Sequence, residues 1–219
     1  MEHKLICLLI GYLAGCILTA EIVVRVLTGK PARELGTTGN PGMANVMANL
    51  GFVPGIIVLA GDLGKTIVAA IICIYIFPDL TTTQAVMYAA LGATLGHDFP
   101  FWQKFRGGKG VATGCIGYLM IAPLSGIVSL LCGFACVLVS KYLNLGGMII
   151  PVVFTALMFI FVGQEAGLVG CAFSLIALYK NWKSLVRIAQ GTEEKVDVAA
   201  ALKRKLAKSR TSDKDDAAA

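Results

Sequence analysis

The sequence predicts an all-α, polytopic membrane protein of about seven transmembrane helices, with its N-terminus outside and its C-terminus in the cytoplasm. Three observations point there. Of 219 residues, 57% are apolar and only 15% charged, and the mean hydropathy is +0.77, which leaves too little polar surface to cover a water-facing globule. Apolar runs recur along the whole chain at close to the length a helix needs to cross a bilayer. The formal charge of +6 is concentrated in a tail: from Lys180 onward ten cations face six acids, a local excess of four. The basic balance therefore suits a membrane surface, and nucleic acid is not expected as a partner.

The runs fit Leu5 to Leu27, Val53 to Phe77, Gln84 to Phe99, Val111 to Ala122, Ser125 to Ser140, Met148 to Val162 and Leu168 to Tyr179. The uncharged stretch from Val111 to Ser140 is read as two helices broken at Ala122-Pro123, because proline removes a helical N–H and clashes with the preceding turn. Charge bias supports the same division. With seven spans and an external N-terminus, Lys30, Arg33, Lys104, Arg106, Lys109, Lys141 and the ten tail cations are all cytoplasmic; six spans would put the first five outside. Residues 1–194 then form a single membrane domain, and 195–219 a basic, partly disordered cytoplasmic tail. Leu13-Ala14-Gly15-Cys16 has the form of a lipoprotein-processing box, but the apolar segments that follow leave no soluble domain to export. The seven cysteines lie in apolar runs without a C-x-x-C pair, as small buried hydrophobes do.

The most informative link is Gly96-His97-Asp98-Phe99-Pro100 through Gly107-Gly108-Lys109-Gly110 to Thr113. Three glycines around a lysine, running into a helix, let backbone N–H groups approach an anion while the helix N-terminus adds positive potential. The alternative is a flexible basic turn touching anionic headgroups. The spacing is not a nucleotide-binding G-x-x-x-x-G-K-[ST] loop; the nearest match, Gly64-Lys65-Thr66, has Leu59 where the first glycine belongs. A second link, Gly36-Thr37-Thr38-Gly39-Asn40-Pro41-Gly42-Met43-Ala44-Asn45, combines turn formers with short donors, and reads either as a ligand loop or as a reverse turn leading into a helix.

Inside the apolar runs, Asp62 with Lys65 and Glu21 with Arg25 stand at helical spacings and are read as structural ion pairs. His97 is either a base or phosphate donor, or a helix-end residue bonded to backbone. From Tyr179 to Arg187, cations and Trp182 suit an amphipathic exit at the headgroup layer.

Together these segments resemble the bacterial acyl-phosphate-dependent glycerol-3-phosphate acyltransferase family. The likeness covers Gly11-Tyr12-Leu13 with Gly15, Thr38-Gly39-Asn40-Pro41-Gly42 with Asn45, Gly61-Asp62 with Lys65, the run from Gly96 to Thr113, Leu145-Gly146, and Arg187 with Gly191-Thr192-Glu193. The resemblance implies transfer of a fatty acyl group from acyl phosphate to the 1-hydroxyl of glycerol 3-phosphate, yielding lysophosphatidate and phosphate. It also implies a multi-pass protein of the bacterial plasma membrane, with the site on its cytoplasmic face and no metal or nucleotide cofactor. Catalytic roles would fall to Lys109, Thr38 and His97, and substrate binding to Gly39, Asn40, Gly42, Asn45, Gly107, Gly108, Gly110 and Arg187. The departures are specific. Thr38 stands where the family has serine, Ala44 where it has threonine and Ala48 where it has a phosphate-binding arginine. Asn144 and Gly147 replace serines, and Asn181 and Ser184 align with a histidine and an asparagine. Arg33, Arg106, Lys183 and Arg187 are the cations available to replace the lost arginine. Other classes that fit the spans are a small transporter for an anionic metabolite, although no inverted repeat is visible, and a weakly active lipid-binding paralogue.

Overall fold

A computed structural model describes residues 1–196, which are all-helical: no strand occurs among them. The α-helices are α1 (Glu2–Gly15), α2 (Thr19–Thr28), α3 (Met43–Leu50), α4 (Phe52–Ile76), α5 (Thr82–Asp98), α6 (Val111–Ile121), α7 (Pro123–Ser140), α8 (Leu143–Phe161) and α9 (Gln164–Ala189). Six of the seven apolar runs of the sequence each fall on one helix, and the first is divided between α1 and α2. Among the described residues, four stretches are long and apolar enough to cross a membrane: Glu2–Thr28, Phe52–Ile76, Pro123–Ser140 and Leu143–Phe161.

Helix α5 is the axis of the bundle. A capping box starts it, with Thr81 Oγ1 accepting from Gln84 N–H and Gln84 Oε1 accepting from Thr81 N–H. Its small residues let α1 lie directly on it. A Cβ added at Gly92 would stand 2.1 Å from Leu8 O, and one at Gly96 2.0 Å from Tyr12 O; Gly11 meets Ala89 O from the other side at 2.1 Å. Such backbone-to-backbone approach is how helices associate where solvent supplies no hydrophobic drive. Helix α4 packs on both α1 and α5, while α7, α8 and α9 form successive antiparallel pairs completing the bundle. Tyr118 and Phe154 stack at its centre, with Phe173 edge-on to Tyr118.

The break at Ala122-Pro123 is present, with Pro123 as the first residue of α7. The single helix expected over Leu5 to Leu27 is not: the chain unwinds between α1 and α2 at Cys16-Ile17-Leu18. The freed carbonyls are satisfied from elsewhere. Lys65 Nζ donates to Gly15 O (3.3 Å) and Ile17 O (2.9 Å), and Trp102 Nε1 to Cys16 O (2.7 Å), which is what tolerates unwound backbone in an apolar layer. The expected ion pairs are found, Asp62 with Lys65 at 2.9 Å and Glu21 with Arg25 at 2.5 Å. The chain from α9 returns to the α7–α8 turn, where Val196 N–H donates to Lys141 O at 2.7 Å. Most of the expected tail, residues 197–219, lies outside the described residues.

Candidate active site

One end of the bundle collects the loop between α5 and α6, the turn between α7 and α8, and the C-terminal end of α9. Lys109 stands among them. Its ammonium donates to Asn144 Oδ1 at 2.6 Å and to Ser184 Oγ at 3.3 Å. Arg187, one turn beyond Ser184, donates to the same hydroxyl at 3.1 Å and to Glu193 Oε2 at 2.5 Å. The other Glu193 oxygen accepts from Asn144 Nδ2 at 2.6 Å. Two cations, an amide and a hydroxyl are thus arranged around one carboxylate, a donor set that also suits a phosphate. Burial pushes the Lys109 ammonium down to about 8, with Arg187 and Lys180 acting the same way and Glu193 opposing. Burial alone would raise the Glu193 carboxyl, but the hydrogen bonds from Arg187 and Asn144 hold it below its ordinary value.

The glycine loop is folded back on α5. Gly107 N–H donates to Asp98 O (3.0 Å) and Gly108 N–H to His97 O (2.9 Å), so two of the N–H groups that the sequence offers to an anion already cap α5. The remaining backbone donors are Lys109, Gly110 and the first turn of α6. A Cβ at Gly107 would lie 2.0 Å from His97 O and one at Gly108 2.1 Å from His97 Nε2, while Gly110 needs its φ of +63° to start α6. These glycines are required for contact with α5 as well as for access to a ligand.

His97 is buried behind this loop. Its Nδ1 lies 2.9 Å from Lys65 Nζ and 3.5 Å from Asp62 Oδ1. The ring joins the Asp62–Lys65 pair on one side and faces Gly108 on the other. The first loop approaches from another direction. Thr38 is exposed, with its hydroxyl 3.4 Å from Asn40 N–H, and Gly42 precedes α3. Gly39, at φ +56°, packs against Arg33 O. Asn45 is buried and spends its amide on Leu35 O at 3.0 Å. No hydrogen bond joins Thr38 or Asn40 to Lys109 among the described residues; the connection runs through Thr37 Oγ1 to Glu194 at 3.4 Å. Ala48 is exposed on α3, and of the four replacement cations considered, Arg187 is the one hydrogen-bonded into the Lys109 cluster.

Beside Lys109 a small cleft, with room for about one water molecule, lies between α5, α6, α8 and α9. Thr94, Asp98, Lys109 and Gly110 line its polar end, and Ile150, Phe173 and Ile176 are among its apolar walls. Asp98 and Glu193 lie in segments that carry the family resemblance but received no site role from the sequence. An acid beside His97, in the middle of an otherwise apolar and glycine-rich run, was the available signal for the first, and the Gly191-Thr192-Glu193 part of the resemblance for the second.

Comparison with known proteins points to one family. The family model described as glycerol-3-phosphate acyltransferase matches residues 5–191. Glycerol-3-phosphate acyltransferase 1 of Lactobacillus johnsonii is 36% identical over 203 residues, covering 93% of this chain and 97% of the relative. The glycerol-3-phosphate acyltransferase of Thermoanaerobacter sp. is 32% identical over 192 residues, covering 86% and 93%. The fold is that of PlsY, an integral membrane glycerol 3-phosphate acyltransferase solved in its glycerol 3-phosphate form, at a TM-score of 0.78 and 24% identity over 91% of this chain and 98% of that one.

Proposed function

The chain belongs to the glycerol-3-phosphate acyltransferase family, and from that premise we propose that it moves a fatty acyl group from acyl phosphate to the 1-hydroxyl of glycerol 3-phosphate, releasing lysophosphatidate and phosphate. The observation that carries this reading is the pairing of Lys109 and Arg187 on Ser184 Oγ beside the Glu193 carboxylate, at the mouth of a small cleft whose inner walls are apolar. A phosphate group suits the first, and the apolar walls of the second suit contact with the start of an acyl chain.

An acyl phosphate is an activated anhydride, so the acceptor hydroxyl attacks the carbonyl carbon directly. The bond between that carbon and the phosphate oxygen breaks, and the hydroxyl proton leaves with phosphate. Lys109 and the free N–H groups at the start of α6 stabilise charge growing on the phosphate and carbonyl oxygens. Thr38, Gly39, Asn40 and Gly42 orient the donor's phosphate, Arg187 replaces the cation lost at Ala48, and His97 acts by holding Gly108 in place. Seven helices span the bacterial plasma membrane, the N-terminus lies outside, and the site faces the cytoplasm, an arrangement favoured by the cations of the links at this end.

The test is to incubate purified protein with acyl phosphate and glycerol 3-phosphate and to follow lysophosphatidate and released phosphate. Equal amounts of both are expected; a protein that forms neither is not this transferase, and movement of solute across vesicles would then favour a transporter.

A further inference from the structure

Both carboxyl oxygens of Asp98 are buried and have no hydrogen-bond partner among the described residues. The residue is 0% exposed, closes α5, and lines the same cleft as Lys109. Each oxygen lies 3.0 Å from the point a Cβ on Gly110 would occupy, which sets the carboxyl directly beneath the turn that carries Lys109. Its backbone carbonyl, by contrast, is doubly used, by Gly107 N–H at 3.0 Å and Lys180 Nζ at 2.8 Å.

The charged side chains facing the carboxyl are Lys180 from α9, Lys65 and Asp62 from α4, and Lys109 from the α5–α6 loop, yet none of the cations donates to it. Neighbouring hydroxyls are committed: Thr94 Oγ1 pairs with Thr113 Oγ1 at 3.3 Å, and Thr113 donates to Gly110 O at 3.0 Å. Folded proteins rarely leave a buried carboxyl wholly unsatisfied, because its lost hydration is then uncompensated. What this carboxyl lacks is hydrogen-bond donors, and it lacks them inside an opening whose rim is cationic.

Resting on the acyl transfer proposed above, we infer that Asp98 is the residue that binds the free hydroxyls of the acceptor. A polyol monophosphate carries its anion and its hydroxyls a few bonds apart. With the phosphate on Lys109 and Arg187, the hydroxyls reach inward to the carboxyl, which ranks acceptors by the hydroxyls they present. An acceptor stripped of hydroxyls leaves Asp98 unsatisfied and is rejected for that reason, as sites built to bind a hydroxyl reject analogues without one.

The experiment is calorimetric titration of the full-length protein in detergent with glycerol 3-phosphate and, separately, with inorganic phosphate. Asp98→Ala should weaken glycerol 3-phosphate binding by about tenfold, the upper end for the loss of one hydrogen bond, while phosphate binding stays as in the wild type. Asp98→Asn, which keeps one oxygen, should fall between. Should Asp98→Ala fail to fold, Asp98→Ser carries the same expectation. Unchanged glycerol 3-phosphate binding in a folded variant overturns the inference, and so does an equal loss for both ligands, which would mark a structural role. A wild type that shows the binding pattern but forms no lysophosphatidate overturns the transfer reaction and keeps the Asp98 site. A wild type that forms product, with an Asp98→Ala KM for glycerol 3-phosphate unmoved, does the reverse. A wild type that neither binds nor transfers overturns both.

Discussion

Lys109 and Arg187 converge on a single hydroxyl, Ser184 Oγ, which accepts from the ammonium at 3.3 Å and from the guanidinium at 3.1 Å. Two cations held this close without a bound anion repel each other, and Glu193 is what offsets the repulsion.

Replacing Lys109 with methionine keeps the stem and removes the charge. On the proposed reaction, turnover should drop about 100-fold or more, the scale seen when one preorganised electrostatic donor is lost. The half-buried chain should stay folded, because an ammonium that burial disfavours is no anchor of stability. Lysophosphatidate formation, measured beside the melting temperature in detergent, checks both halves; full activity would remove Lys109 from the site.

Anion binding should weaken as pH rises through about 8, where burial places the Lys109 ammonium. Below that pH the group is charged and attracts phosphate; above it the group is neutral, while phosphate itself stays dianionic. The effect on folding has the opposite sign. A lysine whose folded value lies below its ordinary 10.5 releases its proton more readily in the folded chain, so its contribution to stability grows as pH climbs from about 8. Phosphate titrations across this range should show the loss, and Lys109→Arg, which stays charged, should abolish it.

Much of the fold was legible in the sequence because hydropathy and local breakers determine it. Pro123 marks its own helix start, and Asp62 and Lys65 pair because they share a helix face. The gap at Cys16-Ile17-Leu18 was not legible, since no proline marks it and its carbonyls are satisfied by Lys65 and Trp102, 48 and 86 positions away. Helix α9 runs well past the apolar stretch that announced it, ending at Ala189, because a helix continues where hydropathy stops. At the site, glycine spacing pointed to Lys109, but the partners Asn144, Ser184 and Glu193 come from distant segments whose meeting only the tertiary fold decides.

The contact of α1 with α5 makes a sharp prediction about side-chain size. At Gly92 even a Cβ would stand 2.1 Å from Leu8 O, with no flexible atom to yield. Gly92→Val should therefore separate the helices and lower the melting temperature steeply or prevent accumulation in the membrane. Gly64, whose added Cβ meets nothing within 4 Å, is the control: Gly64→Ala should be as stable as the wild type or slightly more so, since alanine is the better helix former. Melting curves of the two variants side by side decide the point.

Lys65 is the residue on which three separated pieces of chain depend. It neutralises Asp62 at 2.9 Å, bonds the carbonyls of Gly15 and Ile17 where α1 gives way to α2, and touches His97, whose ring backs the glycine loop. Both members of the pair are nearly fully buried, at 6% and 2% side-chain exposure, so solvent cannot replace the lost partner. Lys65→Met should then cost about 3–5 kcal/mol, the price of an uncompensated buried charge. Adding Asp62→Asn should recover part of that loss, because the stranded carboxylate goes, while the two carbonyls stay unpaired and keep recovery incomplete. Melting temperatures of the single and double variants measure this coupling. Strictly additive losses would show that Lys65 and Asp62 do not stabilise each other.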